Sequence, residues 1–64
     1  MKLKKLLKII KYNNIRIMII KGNTLFKNLL PINVYTFHDN LLNKKIKNLY
    51  VEDNILKIEV KNNE

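Results

Sequence analysis

The side chains of this chain with the most evident chemistry are its cations. Lys2, Lys4, Lys5, Lys8, Lys11, Arg16, Lys21 and Lys27 all fall within residues 1–38, where no Asp or Glu occurs. Residues 39–64 hold five bases and five acids, Asp39, Glu52, Asp53, Glu59 and Glu64. The whole formal charge of +8 therefore belongs to the first 38 residues. A lopsided field of this kind draws in polyanions and speeds encounter with acidic surfaces. These eight residues are the expected contacts to a partner: the phosphates of RNA or DNA, or an acidic face of a protein. The plain alternative is a solvated helix face enriched in lysine by codon usage. Lys, Asn and Ile, all with AT-rich codons, supply 33 of the 64 residues, and twelve of the thirteen bases are lysine.

Little else in the chain is suited to catalysis. There is no serine and no cysteine, so neither hydroxyl triads based on serine nor thiol nucleophiles can be built. Gly22 is the one glycine, which leaves no glycine-rich loop to cradle a phosphate. His38 is the one histidine, too few for a conventional zinc site, and its place beside Asp39 suits a turn or cap. Asp39, Glu52, Asp53 and Glu59 are not spaced to converge on one face, as general acid–base work needs. Binding rather than catalysis is the expectation, with no cofactor and no metal. Tyr12, Tyr35, Phe37 and Tyr50 could stack on bases. They lack the sheet-face pattern of an RNA-recognition motif, and packing is their expected role.

The elements that must position these groups follow from periodicity. Leu3, Leu6, Leu7 and Ile10 recur at helical spacing opposite Lys2, Lys4, Lys5, Lys8 and Lys11, which predicts an amphipathic helix of about three turns. Asn13-Asn14 should end it in a left-handed conformation. Alternating β-branched residues from Ile15 to Ile20 predict a strand, and Gly22-Asn23 a hairpin turn into Thr24–Leu29. That register sets Ile19 against Phe26 and Ile20 against Leu25. Ile15, Ile17, Ile19 and Phe26 then face the core, and Arg16, Met18, Ile20, Leu25 and Lys27 form a mixed, open face. Pro31 stops the second strand. Residues 31–44 are ambiguous: Val34–Phe37 looks extended, and Asp39 reads as the cap of a short helix of one or two turns. Residues 45–51 and 55–61 form a second hairpin with Asp53-Asn54 at its tip. Val51 then faces Leu56 and Leu49 faces Ile58. Leu49, Val51, Ile58 and Val60 are assigned to the core, with Ile46, Asn48, Tyr50, Lys57 and Glu59 opposite. Residues 62–64 read as a frayed tail.

The fold class is thus α+β: one domain over residues 1–64, with an N-terminal helix on an antiparallel sheet of about four strands. A chain of this size has a small core, and with no cysteine for a disulfide, self-association as a homodimer is the remaining means of support. No stretch approaches the ~20 apolar residues of a membrane span. The Lys-rich start lacks the unbroken apolar run and cleavage site of a signal peptide. A cytoplasmic protein with no membrane contact is expected.

The run 41–46, Leu-Leu-Asn-Lys-Lys-Ile, leads into Leu49-Tyr50-Val51-Glu52-Asp53-Asn54-Ile55-Leu56-Lys57-Ile58-Glu59-Val60. A short helix entering a hairpin that ends in this way resembles small α+β proteins of Firmicute phages and prophages. The first half, a Leu-rich helix, a strand, Gly22 and Leu25-Phe26, is similar too. That size class includes inhibitors of bacterial defence, anti-CRISPR proteins among them, many of which are acidic mimics of nucleic acid. The resemblance implies an accessory protein that binds and inhibits a host defence nucleoprotein. The basic charge implies contact with guide RNA or an acidic effector face rather than mimicry of DNA. A small basic nucleic-acid-binding protein is the alternative, and a subunit that only self-associates is a third.

Overall fold

The computed structural model describes residues 1–62, so the tail expected over 62–64 lies largely outside the described residues. Seven elements follow in order: α1 (Leu3–Ile10), β1 (Ile17–Lys21), β2 (Thr24–Leu29), α2 (Pro31–Phe37), α3 (Asp39–Leu42), β3 (Ile46–Glu52) and β4 (Ile55–Val60).

Both hairpins form in the registers that hydrophobic alternation and turn chemistry dictate. Ile19 pairs with Phe26 and Ile20 with Leu25; Val51 pairs with Leu56 and Leu49 with Ile58. Gly22 has φ +58 with a following Asn23 outside the positive region, which matches a type II′ turn. Asp53 (φ 57) and Asn54 (φ 61) are both left-handed, as a type I′ turn requires. The hairpins join into one four-stranded sheet of order β2-β1-β4-β3. The joint between them is parallel, with Ile17 opposite Leu56, Ile19 opposite Ile58 and Lys21 opposite Val60. The sheet is therefore mixed rather than wholly antiparallel. Hairpin signals specify only the local pairs, and α2 with α3 supplies the crossover that a parallel pair needs.

One face of the sheet carries the core. Leu3 and Leu7 of α1, Val34 of α2, and Leu41 and Leu42 of α3 meet Ile17, Ile19, Ile58 and Val60. Leu6, Ile10, Ile15, Phe26, Leu29, Tyr35, Ile46 and Leu56 pack around them. The other face, with Met18, Ile20, Leu25, Tyr50, Lys57 and Glu59, is open.

Several local expectations are corrected. Residues 34–37 are helical, not extended. Pro31 sits at the start of α2, where its fixed φ is already helical and its missing N–H is not needed. Burial of Pro31 and Val34 on one side of that helix outweighs the β preference of Val34-Tyr35-Thr36. Asp39 is the first residue of α3 rather than its cap; His38 holds the junction, donating its N–H to the Val34 carbonyl at 3.0 Å and accepting from the Leu41 N–H at 2.9 Å. Neither Asn13 nor Asn14 is left-handed. The Asn13 N–H bonds the Ile10 carbonyl at 2.8 Å, and its side-chain oxygen accepts from the Ile15 N–H at 3.3 Å, so an Asx turn ends α1. A register shift between Ile46 and Asn48 turns Ile46 to the core side, opposite Val60, instead of the outer face. Leu49 and Val51 do point to the helix side but remain exposed, because β3 is an edge strand the helices do not cover.

Candidate functional site

The first turn of α1 has no capping side chain and no acid. Its backbone is satisfied by a strand-like exchange instead. Lys2 bridges Lys45 in antiparallel fashion, the Leu3 N–H donates to the Lys44 carbonyl at 2.9 Å, and the Ile46 N–H donates to the Met1 carbonyl at 2.8 Å. The start of the helix is thereby stitched to the start of β3. The Lys61 N–H bonds the Lys45 carbonyl at 2.9 Å, which adds the end of β4. Lys21, opposite Val60, brings in the end of β1.

Four chain segments thus deliver lysines to one end of the molecule: Lys2, Lys21, Lys44, Lys45, Lys47 and Lys61. Glu59 is the acid among the described residues that shares this region; it lines a hollow of about 360 Å³ with Gly22, Lys47, Lys61 and Asn62. The Lys44 ammonium donates to the Asn62 carbonyl at 3.4 Å. The solvent side of α1 continues the positive surface. There Lys2, Lys4, Lys5 and Lys8 line an open hollow of about 330 Å³.

The eight residues expected to bind a partner are therefore not all brought together. Lys2, Lys4, Lys5 and Lys8 share the outer side of α1. Lys21 lies near the basic end. Lys11 turns toward α2, its ammonium 4.9 Å from the Tyr35 ring centre and 5.2 Å from that of Tyr12. Arg16 and Lys27 lie at the far end of β1 and β2, around a hollow of about 190 Å³ with Met18, Asn28 and Ile55. That end is also where the hairpin tip carries Glu52 and Asp53. The charge is thus polarised along the molecule as well as along the sequence.

Lys44, Lys45, Lys47 and Lys61 escaped notice in the sequence because their half of the chain is neutral on balance. Their acids are carried away by the fold: Glu52 and Asp53 sit a strand's length from Lys45, and Glu52 is paired with Lys57. The local run Lys44-Lys45-x-Lys47 just before a strand was the one available signal.

His38 lies between α2 and α3 with its ring edge-on to Phe26 at 5.9 Å, a packing and turn position. Asp39, the Glu52–Asp53 tip and Glu59 stand on different elements, and among the described residues no group of three or more His, Asp or Glu could hold a metal ion. No helix among them is long and apolar enough to cross a membrane. Comparison with protein-family models, with curated proteins and with solved structures finds no match.

Proposed function

We propose that the protein acts by binding, not catalysis, and docks its lysine surface on a polyanionic face of a host nucleoprotein. In this reading it is an accessory protein of the phage or mobile-element kind whose docking inhibits a defence effector, an RNA-guided one such as a CRISPR complex being the expected target. The observation that carries the proposal is the gathering of lysines from α1, β1, β3 and β4 at one end of the molecule. Positive charge at the positive end of a helix dipole opposes stability by a few tenths of a kcal/mol per charge, up to ~1. Here Lys2, Lys4 and Lys5 stand at that end with no acid in the first turn. A local conflict of this kind points to a use for the charge beyond folding. Lysine ammoniums are compact donors suited to phosphate oxygens without a required geometry. That suits a partner recognised by its backbone rather than by its bases.

A tagged protein drawn from its host with and without nuclease tests this reading. A defined protein that stays bound after nuclease supports the inhibitor reading and names the target. Release of everything with the digested nucleic acid favours direct nucleic-acid binding, for which the same lysines would serve. Salt separates the two again. Direct phosphate binding weakens with a log–log slope of roughly −0.7 to −0.9 per neutralised phosphate. An interface with an apolar centre persists.

A further inference from the structure

The outer edge of β3 is an apolar strip that no other element among the described residues pairs with or covers. Leu49 is 46% exposed and Val51 64%, although both point to the helix side of the sheet. Ile9 of α1, 72% exposed, adds to it. Lys11 faces α2 at Tyr35, and a helix turns about 100° per residue, so Ile9 falls on the opposite flank of α1. That flank is the β3 side, where Lys2 bridges Lys45.

We infer that a second copy of this chain pairs with this edge, β3 against β3 in antiparallel register centred on Tyr50. Three observations converge on that partner. The strand is charge-complementary to itself in reverse, since it begins at Lys45 and Lys47 and ends at Glu52 and Asp53. In the register centred on Tyr50, Asn48 of each copy opposes Glu52 of the other, and the lysine end of each strand lies toward the acidic tip of the other. The apolar residues match as well. Leu49 meets Val51 twice on the helix side, and Tyr50 meets its own copy on the open side.

The backbone agrees with the same register. In a hairpin closed by the two-residue turn Asp53-Asn54, Glu52 and Tyr50 form the hydrogen-bonded pairs with β4. Leu49 and Val51 then direct their N–H and C=O groups outward, toward the second copy, where they form hydrogen-bonded pairs with each other. One outward donor is used locally: the Leu49 N–H bonds the Asn48 side-chain oxygen at 2.9 Å. Pairing exchanges that contact for a backbone carbonyl. The register shift between Ile46 and Asn48 lies at the beginning of the strand and leaves Asn48–Glu52 regular.

The inference is independent of the polyanion reading, but it has a consequence for it. A two-fold axis perpendicular to the joined sheet keeps both copies of α1 on one side. Both lysine-lined helices then face the same partner.

The chain has no cysteine, so single cysteines report the pairing cleanly. Opposed residues in a non-hydrogen-bonded pair have Cα atoms about 4.5 Å apart, within disulfide range. Under mild oxidation, Tyr50→Cys should become a covalent dimer, while Leu25→Cys on the β2 edge should not. In sedimentation the wild type should show twice the 7.7 kDa chain mass, falling to the single mass on dilution. Val51→Lys should hold the single mass throughout, with an unchanged far-ultraviolet spectrum. If Val51→Lys fails to fold, the cysteine pair decides alone. A wild type that stays single at every concentration overturns the inference. So does a dimer that cross-links through Leu25→Cys rather than Tyr50→Cys, or one that survives Val51→Lys.

Discussion

Lys2 and Lys45 face each other across an isolated antiparallel bridge, so two basic residues from opposite halves of the chain are held side by side by backbone bonds. The arrangement separates the role of the backbone from that of the charges. Deleting residues 1–2 removes the Met1 carbonyl that accepts from the Ile46 N–H and the Lys2 carbonyl that accepts from the Lys5 N–H. The expected loss is about 2 kcal/mol, the net worth of two such bonds. Lys2→Gln keeps the backbone and should stay within ~0.5 kcal/mol of wild type, as surface changes usually do. Urea unfolding of both variants checks the pair, and equal losses would show that the side chain, not the bridge, secures the helix.

The core is small enough that one residue should matter greatly. Leu7 is fully buried among α1, α2 and the sheet, so Leu7→Ala is expected to cost roughly 2–5 kcal/mol. A domain of this size has little more than that to lose. Phe37 is larger but exposed, and Phe37→Ala should fall within about 0.5 kcal/mol. Thermal melts followed by circular dichroism give the contrast directly.

Turn conformations make two opposite predictions. Gly22 has φ +58, and an added Cβ would lie 3.0 Å from the Asn62 side-chain nitrogen. Gly22→Ala should destabilise by about 1–2 kcal/mol through the left-handed backbone alone. Asn54 also has positive φ, and Asn54→Gly would convert the tip to Asp-Gly, a favoured pair for this turn. That variant should be neutral or slightly more stable in urea, and a clear loss would show that the Asn54 side chain makes a needed contact.

Lys57 donates to Glu52 across the open face of the sheet. The hydrogen bond to Glu52 raises the Lys57 value above the ordinary 10.5, with partial burial acting against it and the Glu52 charge adding to the rise. A raised lysine contributes stability that is fully present below its unfolded value and is lost as pH climbs through the folded one. Wild type should thus exceed Glu52→Gln in stability at neutral pH, and the difference should close above pH 10.5. A gap unchanged into strong alkali would mean that Glu52 stabilises the tip by another contact.

Much of the fold was legible because it depends on local patterns. The alternation of Ile15–Ile20 and the turn at Gly22-Asn23 determine one hairpin, and Asp53-Asn54 between apolar runs determines the other. The helical spacing of Leu3, Leu6, Leu7 and Ile10 determines α1. What escaped depends on long-range contacts. Nothing near Ile17 announces Leu56 as its parallel partner. The helical state of residues 34–37 depends on burial of Val34 against elements distant in sequence. The lysine surface was half legible for the same reason. Lys2, Lys4, Lys5 and Lys8 follow from one helix face, whereas Lys44, Lys45, Lys47 and Lys61 join them only once β3 and β4 have docked.

The parallel pairing of β1 with β4 also sets when the protein can exist. The two central strands of the sheet come from the first and last thirds of the described chain, and each hairpin alone is marginal in water. A large loop must close before the central contacts reward it, which slows folding relative to a helical chain of equal length. During synthesis, β1 and β2 wait beside an unfilled position until β4 has left the ribosome. The apolar edge of β1 is a template for wrong pairings in that interval. The cations flanking it, Arg16, Lys21 and Lys27, add like charge between chains and so disfavour such pairings while the position beside β1 is empty.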